Sequence, residues 1–271
     1  MNTHGLNNNF LYAVSKVRVQ FENGNLPNVI QSKGTGFFIQ KEDKVYFITN
    51  RHVLDPERIK DAAGQGYKMY QVFIDHRNFE STSQKPLAEE YLVKNCTFTF
   101  AANEYDDLAC ISGIELASEP TVPRVVIEYD LLATSDLFHS SFSICDLLAF
   151  IGFPSNQYDS IHNLPILRSG IISSDPRINF PIAGTDQGNA VAYEAFSTGG
   201  ASGSPVFALQ KGIQLGEGLK GPDDFYRPVK LIGINAGHKK DPQSGIHTQL
   251  SYFYRSDQII ALIEKVEAQQ T

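Results

Sequence analysis

Short runs rich in Val, Ile, Phe and Tyr recur along the whole chain, each stopped by a cluster of Gly, Pro, Asn or Asp. They cover residues 11–21, 34–40, 44–50, 67–75, 91–100 and 107–114, then 122–129, 146–153, 165–174, 190–196, 204–209, 230–237 and 247–254. Apolar runs of this length between turn formers are the punctuation of an all-β sandwich or barrel. About six strands precede a weaker join near Ser118-Glu119-Pro120 and about seven follow it. Two β units of similar size are expected, over residues 1–118 and 119–271. The end of the chain breaks the pattern. Ile259, Ile260, Leu262, Ile263 and Val266 fall at helical spacing, which predicts an amphipathic helix over residues 256–269. Ser256 is placed to cap it, Asp257 suits its first turn, and its apolar face is expected on the second β unit, with a partner-binding helix as the alternative.

Composition narrows the function classes. With 42% hydrophobic and 20% charged residues the chain reads as a folded globule. A net charge of −7 opposes nucleic acid as a partner, because that surface needs a basic stripe. No apolar run approaches a membrane span, so no membrane partner is expected. The first nine residues lack the basic start and apolar stretch of a signal peptide. The three cysteines, Cys96, Cys110 and Cys145, are unclustered. They are expected to be buried free thiols in a reducing compartment, which places the protein in the cytoplasm.

The chemistry centres on Gly199-Gly200-Ala201-Ser202-Gly203-Ser204-Pro205. Glycines on both sides let the backbone turn tightly around Ser202. A serine hydroxyl attacks only when a base takes its proton, and the developing oxyanion needs N–H donors. The amides of Gly200 and Ser202 are candidates for those donors. Taken alone, the run reads as readily as a flexible Gly/Ser loop between strands. The base would be His52, which follows the strand-like Val45-Tyr46-Phe47-Ile48-Thr49-Asn50. Six other histidines compete with it; His76 has Asp75 beside it but no flanking signature. His238 and His247 lie too far apart for a short metal motif, so no metal and no cofactor is expected. The acid would be Asp107, opening the buried run Leu108-Ala109-Cys110-Ile111, where it can fix the imidazole tautomer. Asp106 is expected to be its solvent-exposed neighbour.

Together these segments resemble the chymotrypsin-like (trypsin-like) serine peptidases, especially their bacterial, HtrA-like branch. Gly34-Thr35-Gly36-Phe37 resembles the family's strand before the histidine, and Thr49-Asn50-Arg51-His52-Val53 the histidine segment itself. Asp107-Leu108-Ala109 resembles the acid segment, and Gly200-Ala201-Ser202-Gly203-Ser204-Pro205 the nucleophile loop. Residues 146–154 and 167–173 resemble strands of the second barrel, and 231–235 the strand lining the substrate cleft. The resemblance implies two six-stranded antiparallel β-barrels with a C-terminal helix. It implies peptide-bond hydrolysis through an acyl-enzyme, with Ser202 attacking, His52 moving the proton and Asp107 orienting His52. The oxyanion hole would be the Gly200 and Ser202 amides, and Phe196, Ser197, Asn235, Ala236 and Gly237 would bind the substrate, a protein or peptide. An α/β-hydrolase is opposed by chain order, since it places serine first and histidine last.

Three departures matter. Ala201 stands where many secreted members carry an aspartate that pairs with a new N-terminus, so activation by N-terminal insertion is not expected. Activity is then constitutive or set by an activating partner or effector. Phe196 falls at the floor of the specificity pocket, implying a shallow apolar pocket, unless Glu194 enters it in another register. No PDZ domain is expected after the catalytic unit. The Gly-rich stretch 210–228 reads as a mobile loop over the site or a surface hairpin. The competing function is a peptidase-like module that binds peptides while catalytically silent or effector-gated.

Overall fold

The computed structural model describes the chain except residues 1–5, 81–84, 94–95, 115–123, 156, 183, 213–225 and 271. The first half is antiparallel sheet. Its strands are β1 (Val14–Asn23), β2 (Leu26–Lys41), β3 (Lys44–Thr49), β4 (Lys68–Glu80), β5 (Lys85–Leu92), β6 (Thr97–Phe100) and β7 (Ala109–Ser112). They pair in the order β5-β4-β1-β2-β3-β7-β6, and β8 (Ile127–Glu128) pairs in parallel with β2 off this path. Alternation sets the faces. In β1, Val17, Val19 and Phe21 are fully buried, while Arg18 and Gln20 between them are half-exposed. They pack with Phe38, Phe47, Val72, Ile74 and Ile111 into one core.

The second half is a closed barrel. β9 (Leu147–Gly152), β10 (Ile166–Ile172), β11 (Ala190–Glu194) and β12 (Pro205–Ala208) come first. β13 (Lys211–Gly212) and β14 (Tyr226–Arg227) form a separate pair, and β15 (Lys230–Lys240) and β16 (His247–Arg255) complete the set. The ring runs β10-β11-β16-β15-β12-β9. Phe150, Val191, Tyr193, Val206, Ile232 and Phe253 fill it.

Several expectations need correction. Of the two expected six-stranded barrels, the described residues show the second closed, and those of the first half pair as an eight-stranded sheet. The run 91–100 divides between β5 and β6, and 122–129 contributes only the two residues of β8. Hydrophobic pattern fixes which residues face inward, but closure depends on stagger between strands, which no single run encodes. The join near Ser118-Glu119-Pro120 lies outside the described residues, as do residues 213–225 of the Gly-rich stretch. The ends of that stretch, β13 and β14, pair beyond β12, at the opposite end of that strand from Ser202.

Between these strands lie α1 (Arg51–Leu54) and α2 (Ser135–Ser140), and the chain closes on α3 (Ser256–Gln270). Ile259, Leu262, Ile263 and Val266 are buried along α3 as the periodicity requires. Ser256 is the first residue of α3, and its buried hydroxyl donates to Ala133 O at 2.7 Å. The helix also does more than cover the second barrel. Lys265 Nζ donates to Phe100 O at 2.9 Å, and Glu267 accepts from Lys41 at 2.7 Å and from Tyr46 at 3.1 Å, all on the first sheet. The cysteines split as well. Cys110 is buried, its thiol pushed up to about 12 by desolvation, but Cys145 is exposed in a left-handed turn (φ 66°) before β9. Cys96 is half-buried, its thiol 3.5 Å from Gly113 O.

Candidate active site

His52 does not end a strand; it lies in α1, the single helical turn after β3. Two hydrogen bonds join it to Asp107, two residues before β7. The His52 backbone N–H donates to Asp107 Oδ1 at 2.8 Å, and the Nδ1 edge of the ring meets Oδ2 at 2.5 Å. Asn50 Nδ2 donates to the Asp107 carbonyl at 2.7 Å, so the residue is held at both ends. With the carboxylate on Nδ1–H, Nε2 keeps its lone pair. Burial pushes the His52 imidazole down, and the charge and hydrogen bond of Asp107 outweigh this, so it titrates above the ordinary histidine range. Arg58 opposes that rise.

Asp106 is not the exposed neighbour. It is 1% exposed and accepts from both the backbone N–H (2.7 Å) and the side-chain amide (2.9 Å) of Asn189. Desolvation raises its pKa despite those bonds. Asp106 thus faces the second barrel and Asp107 faces His52.

Ser202 is half-buried on the turn leading into β12. Its hydroxyl is directed to Ala236 O at 3.5 Å; among the described residues it makes no hydrogen bond to His52. The turn needs glycine at Gly203, where φ is +90° and an added Cβ would stand 1.8 Å from Thr35 O. Gly203 N–H donates to Asn235 O at 2.8 Å, and Asn235 Nδ2 donates to Ala201 O at 2.8 Å. Ala201 is fully buried, so no charge holds the loop from within. Gly200 has φ +86°. Ser155 N–H donates to Gly199 O at 2.7 Å, which turns the next amide, that of Gly200, away from Ser155 because the peptide is trans. No described residue accepts from the N–H of Gly200 or of Ser202.

The residues expected to bind substrate have different fates. Phe196 is 42% exposed, its ring between the Arg168 guanidinium (5.3 Å) and the His247 ring (4.7 Å). Glu194 is exposed at the end of β11. Ser197 and Asn235 are buried and bonded to each other at 3.0 Å, and Tyr193 Oη donates to Asn235 Oδ1 at 2.7 Å, so both side chains are internal. His247 Nε2 meets the Ser197 carbonyl at 2.6 Å and its ring stacks on His238 at 4.2 Å. Ala236 and Gly237 run along β15 beside the Ser202 hydroxyl. His76, fully buried, is committed elsewhere, to Ser15 Oγ at 2.9 Å and Asn78 Oδ1 at 3.0 Å.

Sequence reasoning passed over Asn50, Asn189 and the Ser155 amide, and gave Thr35 no role of its own. Thr35 carried a local signal, a β-branched hydroxyl between two glycines, but its contacts are all distant in sequence.

Residues 34–216 match the trypsin-like peptidase domain family. No match was found among curated protein sequences. Among solved structures, the chain is similar to the HtrA-type protease AlgW with decapeptide, at TM-score 0.53 and 16% identity over 95% of this chain and 65% of that one. It is similar also to an AlgW variant with decapeptide, at TM-score 0.54 and 14% identity over 96% of this chain and 65% of that one. The likeness shows the chymotrypsin-like fold, and the chain spans about two thirds of those proteins' length, 65% in each.

Proposed function

The chain belongs to the trypsin-like peptidase domain family, and on that premise we propose that it is a serine endopeptidase using Ser202, His52 and Asp107. The observation that carries this reading is the pair of hydrogen bonds between Asp107 and His52, at 2.8 and 2.5 Å, which leaves Nε2 as the available base. Ser202 Oγ attacks the scissile carbonyl as Nε2 takes its proton, and Nε2 returns that proton to the leaving amine. The Gly200 and Ser202 amides receive the oxyanion. Water then cleaves the acyl-enzyme by the same steps. The substrate is a protein or peptide, laid along Ala236 and Gly237 with Phe196 at the pocket rim; the decapeptide of the AlgW structures supports that class. The halves 1–118 and 119–271 act as the two walls. The free thiols of Cys110 and Cys145 support a reducing, cytoplasmic setting.

One observation favours a gated variant of this reading. The Ser202 hydroxyl points at Ala236 O, so it must rotate before it meets His52. Fluorophosphonate labelling tests both readings. The enzyme reading expects labelling that Ser202→Ala abolishes. Labelling in cell lysate alone selects the effector-gated form. Labelling in neither leaves the silent peptide-binding module.

A further inference from the structure

Thr35 belongs to the first sheet, yet two of its polar atoms bond to the nucleophile loop. Its backbone N–H donates to Ser202 O at 2.7 Å. Its hydroxyl donates to Gly200 O at 2.8 Å and accepts from Phe153 N–H at 3.0 Å. An amide can only donate and a carbonyl only accept, so the hydroxyl's direction is fixed. Thr49 Oγ donates to Thr35 O at 2.7 Å and holds Thr35 itself. Thr35 is fully buried, so no solvent competes for these bonds. A few residues beyond Phe153, the Ser155 amide holds Gly199 O at 2.7 Å. The carbonyls of residues 199, 200 and 202 are therefore all held from outside the loop. The Gly199 carbonyl shares its peptide plane with the Gly200 amide, and the carbonyls of residues 200 and 202 belong to the two planes flanking the one that carries the Ser202 amide.

We propose that Thr35 and the Ser155 amide form a clasp that sets the nucleophile loop for oxyanion binding, Thr35 being a positioning residue. The clasp does from the flanks what a charge at position 201 could do from within, and Ala201 carries none. This inference rests on the endopeptidase reading.

Oxyanion donors act chiefly in the transition state, so loosening them lowers turnover more than substrate affinity. The experiment measures kcat and KM on a fluorogenic peptide, the fluorophosphonate labelling rate and the thermal melt. Thr35→Val keeps the shape and removes the hydroxyl; Ser155→Pro removes the amide at an exposed position. Each is expected to lower kcat and labelling by roughly 10- to 100-fold with KM within about twofold. Thr35→Ser, which keeps the hydroxyl, and Ser155→Ala, which keeps the amide, recover most of the loss. Wild-type kcat in folded Thr35→Val or in Ser155→Pro overturns the clasp. If the valine variant does not fold, the proline variant decides. An unlabelled wild-type protein removes the enzyme reading itself, and that outcome is separate from any variant effect.

Discussion

The proton on His52 is governed by one carboxylate. Asp107 keeps the imidazole charged above the ordinary histidine value of about 6.5, against its burial. Only the neutral ring accepts the serine proton. For the endopeptidase, kcat/KM is therefore expected to rise with pH and to level off only above about 6.5. Asp107→Asn should move that inflection down and reduce turnover by roughly four orders of magnitude. A pH–rate profile of both proteins checks this, and an unmoved inflection would remove Asp107 from its role. The adjacent acid behaves otherwise. Asp106→Asn cannot accept both Asn189 donors as a carboxylate does, so it should lower stability by about 1–3 kcal/mol. Activity at low temperature should survive, and a denaturant midpoint beside an activity assay separates the two effects. The sequence distinguished Asp107 from Asp106 through the buried run that follows. It misjudged the exposure of Asp106, because the partner Asn189 lies 83 positions away.

At the level of elements, the strands were the most legible part of the chain. β3, β9, β11 and β12 sit almost where the short apolar runs place them. The pairs β13 and β14, only two residues each, and the single turn α1 are too short to carry a period. The amphipathic pattern of α3 marks which residues are buried but not what buries them. That helix spans both halves, through Lys41 and Tyr46 on one side and its packing on β15 and β16 on the other. Ile263, on the inner face of this helix, is fully buried, and Ile263→Ala is expected to cost about 2–5 kcal/mol in a urea titration. A cost under about 1 kcal/mol would mean the helix contributes little to holding the halves together.

Across the whole molecule, the interface between the halves is polar where the nucleophile loop lies and apolar beneath α3. Gly203 sits at the polar contact. Gly203→Ala forces a Cβ into the Thr35 carbonyl at a φ of +90°, so activity should fall below detection while the separate cores stay folded. Near-wild-type labelling of that variant would contradict so close an approach of the two halves. The first core carries a second global property, the neutral His76. Burial lowers its pKa to about 3, with Arg124 and Arg77 adding to this and the Asn78 hydrogen bond opposing it. The unfolded chain takes up a proton near pH 6.5 that the fold refuses until about pH 3, so stability is lost as pH falls through that window. Between pH 7 and 5 the loss is about 2 kcal/mol, and His76→Gln should remove that part of the slope in urea midpoints.

The sequence by itself determined the β class, the terminal helix and the short list of Ser202, His52 and Asp107, because strand period, helical period and Gly-rich turns are local signals. Only the tertiary structure decided that the second half closes into a barrel and that the described strands of the first half pair as an eight-stranded sheet. It alone turned Asp106 toward Asn189, drew Thr35 onto the nucleophile loop and left the Ser202 hydroxyl on Ala236. Each of those outcomes depends on contacts between residues far apart in the chain, set by register and packing. No window of neighbouring residues contains that information.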